Sequence, residues 1–357
     1  KVAGVTPALV DRIAALPAVD LVVVEADGSR RLPFKAPAEH EPVIAPGTTL
    51  VVPMAGLDVV GRTLGPEDVH RPERVARLAG AALGEPVTPA IVARVLAHPQ
   101  GGAARVPPTA RLLPFLNKAD DEQALAAGRE TARLLLAAPR VDSVAIGALA
   151  AADPVIEVWS RVAAVVLAAG AGRRFGALKQ ALPWQGVPLV AHVAGQALAC
   201  PDLEGVAVTL GAGREQVRAA LAGLAVQLVA VPDWEAGQSR SVRAGLAAVT
   251  GVGRPPLGAV LFLLADQPGI TPALLTALIV RHRETLAPVV APRYRGRRGN
   301  PVLFDRTTFS EFAHLEGDIG ARPILQAHEN EIAWVDWPGP EITADIDTAD
   351  DYRGLLA

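Results

Sequence analysis

One stretch constrains the chain more than any other: Val162-Ala-Ala-Val-Val-Leu-Ala-Ala-Gly-Ala-Gly-Arg-Arg-Phe-Gly-Ala-Leu-Lys179. Val162 to Leu167 is an apolar run with strand character. It breaks into a loop carrying Gly170, Gly172 and Gly176, with Arg173, Arg174 and Lys179 close by. Glycine lets backbone N–H groups approach an anion and point at it. Arginine forks onto phosphate oxygens, while lysine brings a point charge. A strand feeding a basic, glycine-rich loop suits a triphosphate. The spacing is neither a G-x-x-x-x-G-K-[ST] phosphate loop nor a dinucleotide fingerprint, because the next small residue after Gly170 and Gly172 falls at Gly176. A plain tight turn would account for the glycines but not for three cations at a strand tip.

Downstream, apolar runs alternate with helical patterns. Val206 to Leu210 and Val226 to Val231 read as strands, the first leading through Gly211 and Gly213 into a helix. Gln238, Ser239 and Ser241 follow Gly237 at a predicted helix start, where hydroxyls cap and N–H groups face anions. Ala259 to Leu264 is the most apolar run and ends in Asp266-Gln-Pro268, a carboxylate at the tip of a central strand. After a helix over 271–284 and a strand over 289–294, Arg293, Arg295, Arg297 and Arg298 surround Gly296 and Gly299. This basic loop suits a phosphate-bearing substrate, a solvated loop being the alternative. Such alternation predicts a doubly wound, mostly parallel, Rossmann-like α/β sheet with ligands at the carboxyl ends of its strands.

The first half reads as a smaller α/β unit. A helix over 1–16, a buried strand Leu21–Val24 ending in Glu25 and Asp27, and a strand over 48–53 are expected in turn. The Pro-rich loop 30–42 carries Lys35, Glu39, His40 and Glu41, which could gather around a ligand. Glu25 and Asp27, at a strand end, are candidate Mg²⁺ ligands. Helices are predicted near 71–83, 88–97 and 121–137, and a strand over 144–147. The apolar run Arg111 to Leu116 leads into Asn117-Lys118-Ala119-Asp120, similar to the guanine-reading N-K-x-D of P-loop GTPases. No Walker A loop precedes these elements, and the chain opens on Lys1, inside a helical pattern, so a fragment is expected.

At 357 residues the chain favours two domains, and the small residues and proline around 148–154 put the boundary near 150–161, giving domains 1–152 and 161–357. A net charge of −3 argues against bulk nucleic-acid binding. The single cysteine, Cys200, excludes an internal disulfide framework and points to a reducing, cytoplasmic setting, with the thiol packed. No apolar run reaches membrane-spanning length.

The segment from Leu167 to Lys179, with Pro183 beyond it, resembles the signature loop of the MobA/MocA-like nucleotidyltransferases, and Ala169 before Gly170 is closer to their cytidylyl branch. The D-Q-P at Asp266, the G-N-P-V at Gly299, Gly317-Asp318-Ile-Gly320 and the closing Asp345-Ile-Asp347-Thr348 extend the likeness. It implies a nucleotide held by Leu167, Ala168, Ala169, Gly170, Gly172, Arg173, Lys179 and Gly211. It implies Mg²⁺ on Asp266 and Asp347, with Asp345 the rival, and Lys179, Arg173 and Asp266 as catalytic groups. Gln238, Ser239, Ser241, Gly299, Asn300, Pro301 and Asp318 would meet the second substrate. The expected reaction is CMP transfer from CTP to a molybdopterin-type cofactor. Sugar-phosphate nucleotidyl transfer, nicotinamide-dependent oxidoreduction and non-catalytic cofactor carriage stand as alternatives. The run from Val24 to Ile44, His70-Arg-Pro-Glu73 and the N-K-x-D resemble the YqeC family, accessory to selenium- or molybdenum-dependent hydroxylases, which implies a hydroxylase as transient partner.

Overall fold

The computed structural model describes residues 4–172, 175 and 178–356. The chain forms two compact units, Lys1–Ser160 and Arg161–Ala357.

In the first unit, Thr6 accepts a hydrogen bond from the Leu9 amide and Pro7 takes the first helical position, opening α1 (Pro7–Ala14). Two prolines then shape the sheet. The expected strand over 48–53 is β2 (Leu50–Val51) and β3 (Met54–Gly56), divided at Pro53; that over 111–116 is β5 (Arg111–Leu112) and β6 (Phe115–Asn117), divided at Pro114. Neither proline has an N–H to give, yet each carbonyl still accepts, Pro53 from Phe115 and Pro114 from Ala145. The parallel order β3–β6–β7 (Ser143–Gly147) therefore survives the interruptions. A small parallel pair, β1 (Phe34–Lys35) with β4 (Val69–His70), lies apart from that ladder. Helices α2 (Pro72–Ala79), α3 (Pro89–Ala97) and α4 (Glu122–Leu136) close the core around Leu116, Val144 and Ile146.

The expected buried strand at Leu21–Val24 does not form. Leu21 is 78 % and Val23 84 % exposed, and the segment joins no ladder among the described residues. Apolar composition gives a tendency to extend, but a strand exists only where a neighbouring edge satisfies its amides.

Strand β8 (Val155–Ala168) carries the chain from one unit to the next. Its first residues pair antiparallel with β7, Ser160 opposite Ser143. From Arg161 onward it is the central strand of the second unit. Its neighbours there are β11 (Leu203–Leu210) and β13 (Leu257–Leu264), both parallel to it. The order runs β12 (Gln227–Ala230), β11, β8, β13, β16 (Val302–Asp305), β14 (Val289–Tyr294), β17 (Ile332–Asp336). Only β16 in this path is antiparallel to its neighbours. The hairpin β9 (Pro183–Trp184) and β10 (Val187–Pro188) turns through Gln185 and Gly186, both at positive φ, and β15 (Arg297–Arg298) folds back on β14.

Side chains of β8 alternate between two cores. Val162, Ala164 and Val166 pack with α5 (Leu189–Leu198), α6 (Arg214–Ala220) and α8 (Pro272–Thr285). Ala163 and Val165 pack with α7 (Gln238–Thr250) and with Ile324 of α9 (Arg322–Ala327). Period two along the strand thus produces helices on both faces, the doubly wound arrangement. Helix α10 (Ala349–Leu356) closes the chain. Cys200 is buried, beside the Thr276 hydroxyl. Among the described residues no helix is long and apolar enough to cross a membrane.

Candidate active site

Register builds the site. Leu167 stands opposite Thr209 on β11 and Leu264 on β13. The residues that follow these three, Ala169-Gly170, Gly211 and Asp266, therefore leave the sheet along one carboxyl edge. The loops are then tied together. The Ala212 amide donates to the Ala169 carbonyl at 3.0 Å. The Gln180 carboxamide donates to Ala168 at 3.2 Å and to Gly170 at 2.8 Å, fixing the glycine loop against the strand end. Sequence reasoning missed Gln180; its place directly after Lys179 was the available signal. Gly170 is exposed and Gly172 takes a positive φ of 60°. Arg173, Arg174 and Gly176 lie outside the described residues.

Lys179 reaches from this loop across the edge. Its Nζ lies 2.7 Å from Asp266 Oδ2 and 2.9 Å from Asp347 Oδ1. Burial works to lower the ammonium's pKa, but the hydrogen bonds and charges of the two aspartates outweigh it and the net direction is upward. Asp347 is brought in from the far end of the chain by the Ile346 amide, which donates to the Asp266 carbonyl at 3.1 Å. Asp351 receives the amides of Asp347 and Thr348 and caps that turn. Burial and the charges of Asp347 and Asp266 raise the pKa of Asp345, so this third carboxylate belongs to the same electrostatic neighbourhood. Among the described residues, the negative charge of three carboxylates thus gathers around one ammonium.

That charge suits a hard divalent cation. Mg²⁺ takes one or two carboxylates and completes its shell with water and phosphate oxygens. Among the described residues no cluster of three or more histidine, cysteine, aspartate or glutamate side chains has metal-binding geometry. Asp266 and Asp347 fit a metal that arrives with its phosphates, not a cage made of protein alone.

Beside the loop, an open cavity of about 530 Å³ is lined by Gly211, Gly213, Gln216, Val231, Pro232 and Trp234. A Cβ on Gly211 would lie 2.7 Å from Cγ of Trp234 and 2.5 Å from the Ala169 carbonyl oxygen, so only glycine lets the indole close on the loop. Trp234 also escaped the sequence reading, because a lone aromatic before a glycine turn carries no periodic signal.

The residues expected to meet a second substrate divide into two groups. The hydroxyls of Ser239 and Ser241 do not cap α7: the cap is Gly237, and both serines are buried inside the first turns. The helix amide of Gln238 instead donates to Asp318 Oδ1 at 3.1 Å, and that of Ser239 to the Gly317 carbonyl at 3.2 Å. Among the described residues Ser239 Oγ is buried without a hydrogen-bond partner. Gly299, Asn300 and Pro301 follow β15, and the Asn300 amide donates to Ile342, ahead of Asp345 and Asp347. Arg293 is held by Asp336 through two hydrogen bonds, and Arg295 lies over the Tyr294 ring.

In the first unit the candidates scatter. Lys35 pairs with Asp27 and donates to the Gly28 carbonyl. Glu25 is exposed, and His40, with its side chain 82 % exposed, does not converge with Lys35. Glu41 is instead bound by both terminal guanidinium nitrogens of Arg71, whose hydrogen bonds pull its pKa down to about 2 despite burial. Lys118 reaches Asp58 at 2.7 Å, Asn117 accepts from the Leu149 amide at 3.0 Å, and Asp120 is exposed.

A phosphate-seeking loop on the central strand, facing carboxylates along the same sheet edge, defines the second unit as a nucleotide-handling α/β domain. Comparison with known proteins narrows that class. Residues 164–332 match the MobA-like NTP transferase domain, and residues 1–73 match the YqeC protein family. The chain belongs to the MobA-like NTP transferase family and carries a YqeC domain at its N-terminal end. Nicotine blue oxidoreductase of Paenarthrobacter nicotinovorans is 30 % identical over 203 residues, 55 % of this chain and 96 % of that protein. The uncharacterized protein YqeC of Escherichia coli K12 is 35 % identical over 118 residues, 33 % of this chain and 46 % of that protein, so the chain spans less than half the length of that relative. The crystal structure of Rv0371c from Mycobacterium tuberculosis H37Rv is 33 % identical with a TM-score of 0.50, over 55 % of this chain and 97 % of that one.

Proposed function

We propose that this protein transfers CMP from CTP to the phosphate of a molybdopterin-type cofactor, releasing pyrophosphate, in the maturation of a molybdenum hydroxylase. Residues 161–357 would carry the chemistry, and residues 1–152 would serve the hydroxylase partner, with Asn117, Lys118 and Asp120 as its candidate nucleotide contacts. The observation that carries the reading is the bridge from Lys179 to Asp266 and Asp347 at the tip of the central strands.

The chemistry asks for position and charge more than for covalent help. An oxygen of the acceptor phosphate forms a bond to the α-phosphorus of CTP, the bond from that phosphorus to the bridging oxygen breaks, and pyrophosphate departs with the electron pair. A phosphate nucleophile is already ionised, so no general base is required. The amides from Ala169 to Gly172 cradle the phosphates, and Lys179 stabilises charge on the leaving group. Arg173 would join Lys179 there. Asp266 and Asp347 would hold Mg²⁺, which supplies Lewis-acid polarisation of the phosphate oxygens. Trp234 and Gly211 offer a flat wall for the base.

Incubation with CTP labelled at the α-phosphate tests this reading: label should move to molybdopterin in the presence of Mg²⁺. A second reading, a nicotinamide-dependent oxidoreductase, draws support from the relative named nicotine blue oxidoreductase, which this chain covers at 96 % of its length. NADPH oxidation with a quinoid acceptor, without label transfer, would favour it.

A further inference from the structure

Three consecutive carbonyls of the glycine loop are bonded from within the protein. The Gln180 carboxamide donates to Ala168 at 3.2 Å and to Gly170 at 2.8 Å, and the Ala212 amide donates to Ala169 between them at 3.0 Å. The first and third of these bonds rest on one side chain. Packing does not replace them at the tip: a Cβ on Gly170 would meet nothing within 4 Å. The direction of the Gly170 carbonyl therefore depends on the bond from Gln180.

Gln180 is placed for that task. It is 6 % exposed and lies in the three-residue turn Lys179–Ala181. Two carbonyl oxygens facing one end of a carboxamide require that end to be the NH₂ group, because the other end has no hydrogen to give. Among the described residues its Oε1 is buried without a hydrogen-bond partner. The side chain thus bears the cost of an unmet acceptor while both donors stay on the loop.

A trans peptide holds its C=O and its N–H on opposite sides, and the 170–171 bond is trans. With the Gly170 carbonyl drawn toward Gln180, the Ala171 amide of the same peptide faces away from it. Among the described residues the amides of Gly170, Ala171 and Gly172 donate to no group of the protein. Successive N–H groups left unbonded in a turn make a concavity for an anion. A flip of that peptide, which glycine permits, would present a carbonyl oxygen to the phosphates instead.

We infer that Gln180 is a positioning residue of the phosphate site: it touches no ligand, and it makes the loop a polyphosphate receptor by fixing the Gly170–Ala171 peptide with its N–H outward. The inference rests on the nucleotidyl-transfer reading for the triphosphate the loop would hold. One short turn then sets both parts of the receptor, Lys179 on Asp266 and Asp347, and Gln180 on the loop.

The test measures binding of inorganic tripolyphosphate with Mg²⁺ to the full chain by titration calorimetry. Gln180→Met removes both donors at similar length. It should weaken tripolyphosphate roughly 10-fold or more, with an unchanged circular dichroism spectrum. Gln180→Glu keeps the shape, but as a carboxylate it opposes both carbonyls, and only its protonated form donates. Relative to the parent, its affinity should recover as the pH falls from about 8 to about 5. Lys179, Asp266 and Asp347 stand beside the loop in both proteins, so the ratio isolates the new group. Arg254→Gln, a change at a surface arginine bonded to Gln227, should bind as the parent does. A folded Gln180→Met that binds tripolyphosphate as well as the parent, a deficit in Gln180→Glu that does not change with pH, or a parent that does not bind tripolyphosphate would each overturn the inference. If Gln180→Met fails to fold, the pH series of Gln180→Glu decides alone. If tripolyphosphate binding depends on Gln180 while no label passes from CTP to molybdopterin, the positioning role stands and the nucleotidyl-transfer reading falls.

Discussion

Lys179 Nζ lies 2.7 Å from Asp266 Oδ2, although 87 residues separate them in the chain. The lysine closes the glycine loop and the aspartate ends the neighbouring parallel strand, so the contact is a product of sheet order. In the proposed nucleotidyl transfer the lysine serves phosphate and the aspartate serves metal. Asp266→Asn keeps the shape and a hydrogen bond to Lys179 but removes the charge. Turnover should fall by roughly 10³-fold or more, with an unchanged circular dichroism spectrum. Full activity in that variant would sink the assignment.

Lys179→Met should behave differently from the aspartate change. It removes the only described cation bonded to both Asp266 and Asp347. Loss of one charge-stabilising donor predicts about a 10²- to 10³-fold fall in kcat, with a smaller change in KM for CTP. A rise in KM at constant kcat would place the lysine in ground-state binding alone.

Trp234 lines the cavity next to Gly211. A base stacked on the indole should quench its fluorescence, and Trp234→Ala should weaken nucleotide binding roughly 10-fold, in line with about 1–3 kcal/mol per stacked base. Trp234→Phe should keep most of the affinity and lose the quench. An unaltered Kd for Trp234→Ala would remove the residue from the base site.

Much of this site was legible in the sequence. The β-rich run into Gly170 located the central strand, and Asp266 followed from the most apolar strand ending in a carboxylate. What was illegible has physical causes. Leu21–Val24 has strand composition, but pairing depends on a partner edge that composition cannot specify. Ser239 and Ser241 read as caps because hydroxyls cap helices, whereas the left-handed freedom of Gly237 at φ 113° and the distant Asp318 carboxylate took that role. Gln180 and Trp234 act through tertiary neighbours with no local signature.

The approach of α7 to the sheet gives a stability prediction. A Cβ on Gly245 would lie 2.3 Å from Val165 Cγ1, and one on Gly237 would lie 2.4 Å from the Gly317 carbonyl group. Gly245→Ala should cost about 1–3 kcal/mol through overpacking. Gly237→Ala should cost at least that, adding backbone strain to the clash. Denaturant unfolding measures both, and a neutral Gly237→Ala would contradict the packing described for the Gly317–Gly320 loop.

Glu41 supplies a pH test in the first unit. Arg71 holds its pKa at about 2, below the ordinary 4.5. Because the folded-state value is depressed, its contribution is complete above about pH 4.5 and is lost as pH falls toward 2. Glu41→Gln should lower stability at pH 7 by about 2 kcal/mol and flatten acid destabilisation between those limits. An acid limb unchanged in the variant would show that the pair contributes nothing net.

The most direct measurement of the central claim is pyrophosphate release by the full chain with Mg²⁺ and molybdopterin, with CTP, GTP and ATP compared side by side. The account predicts release that requires both CTP and molybdopterin and is lost in Asp266→Asn. Release with none of the three nucleotides would contradict it.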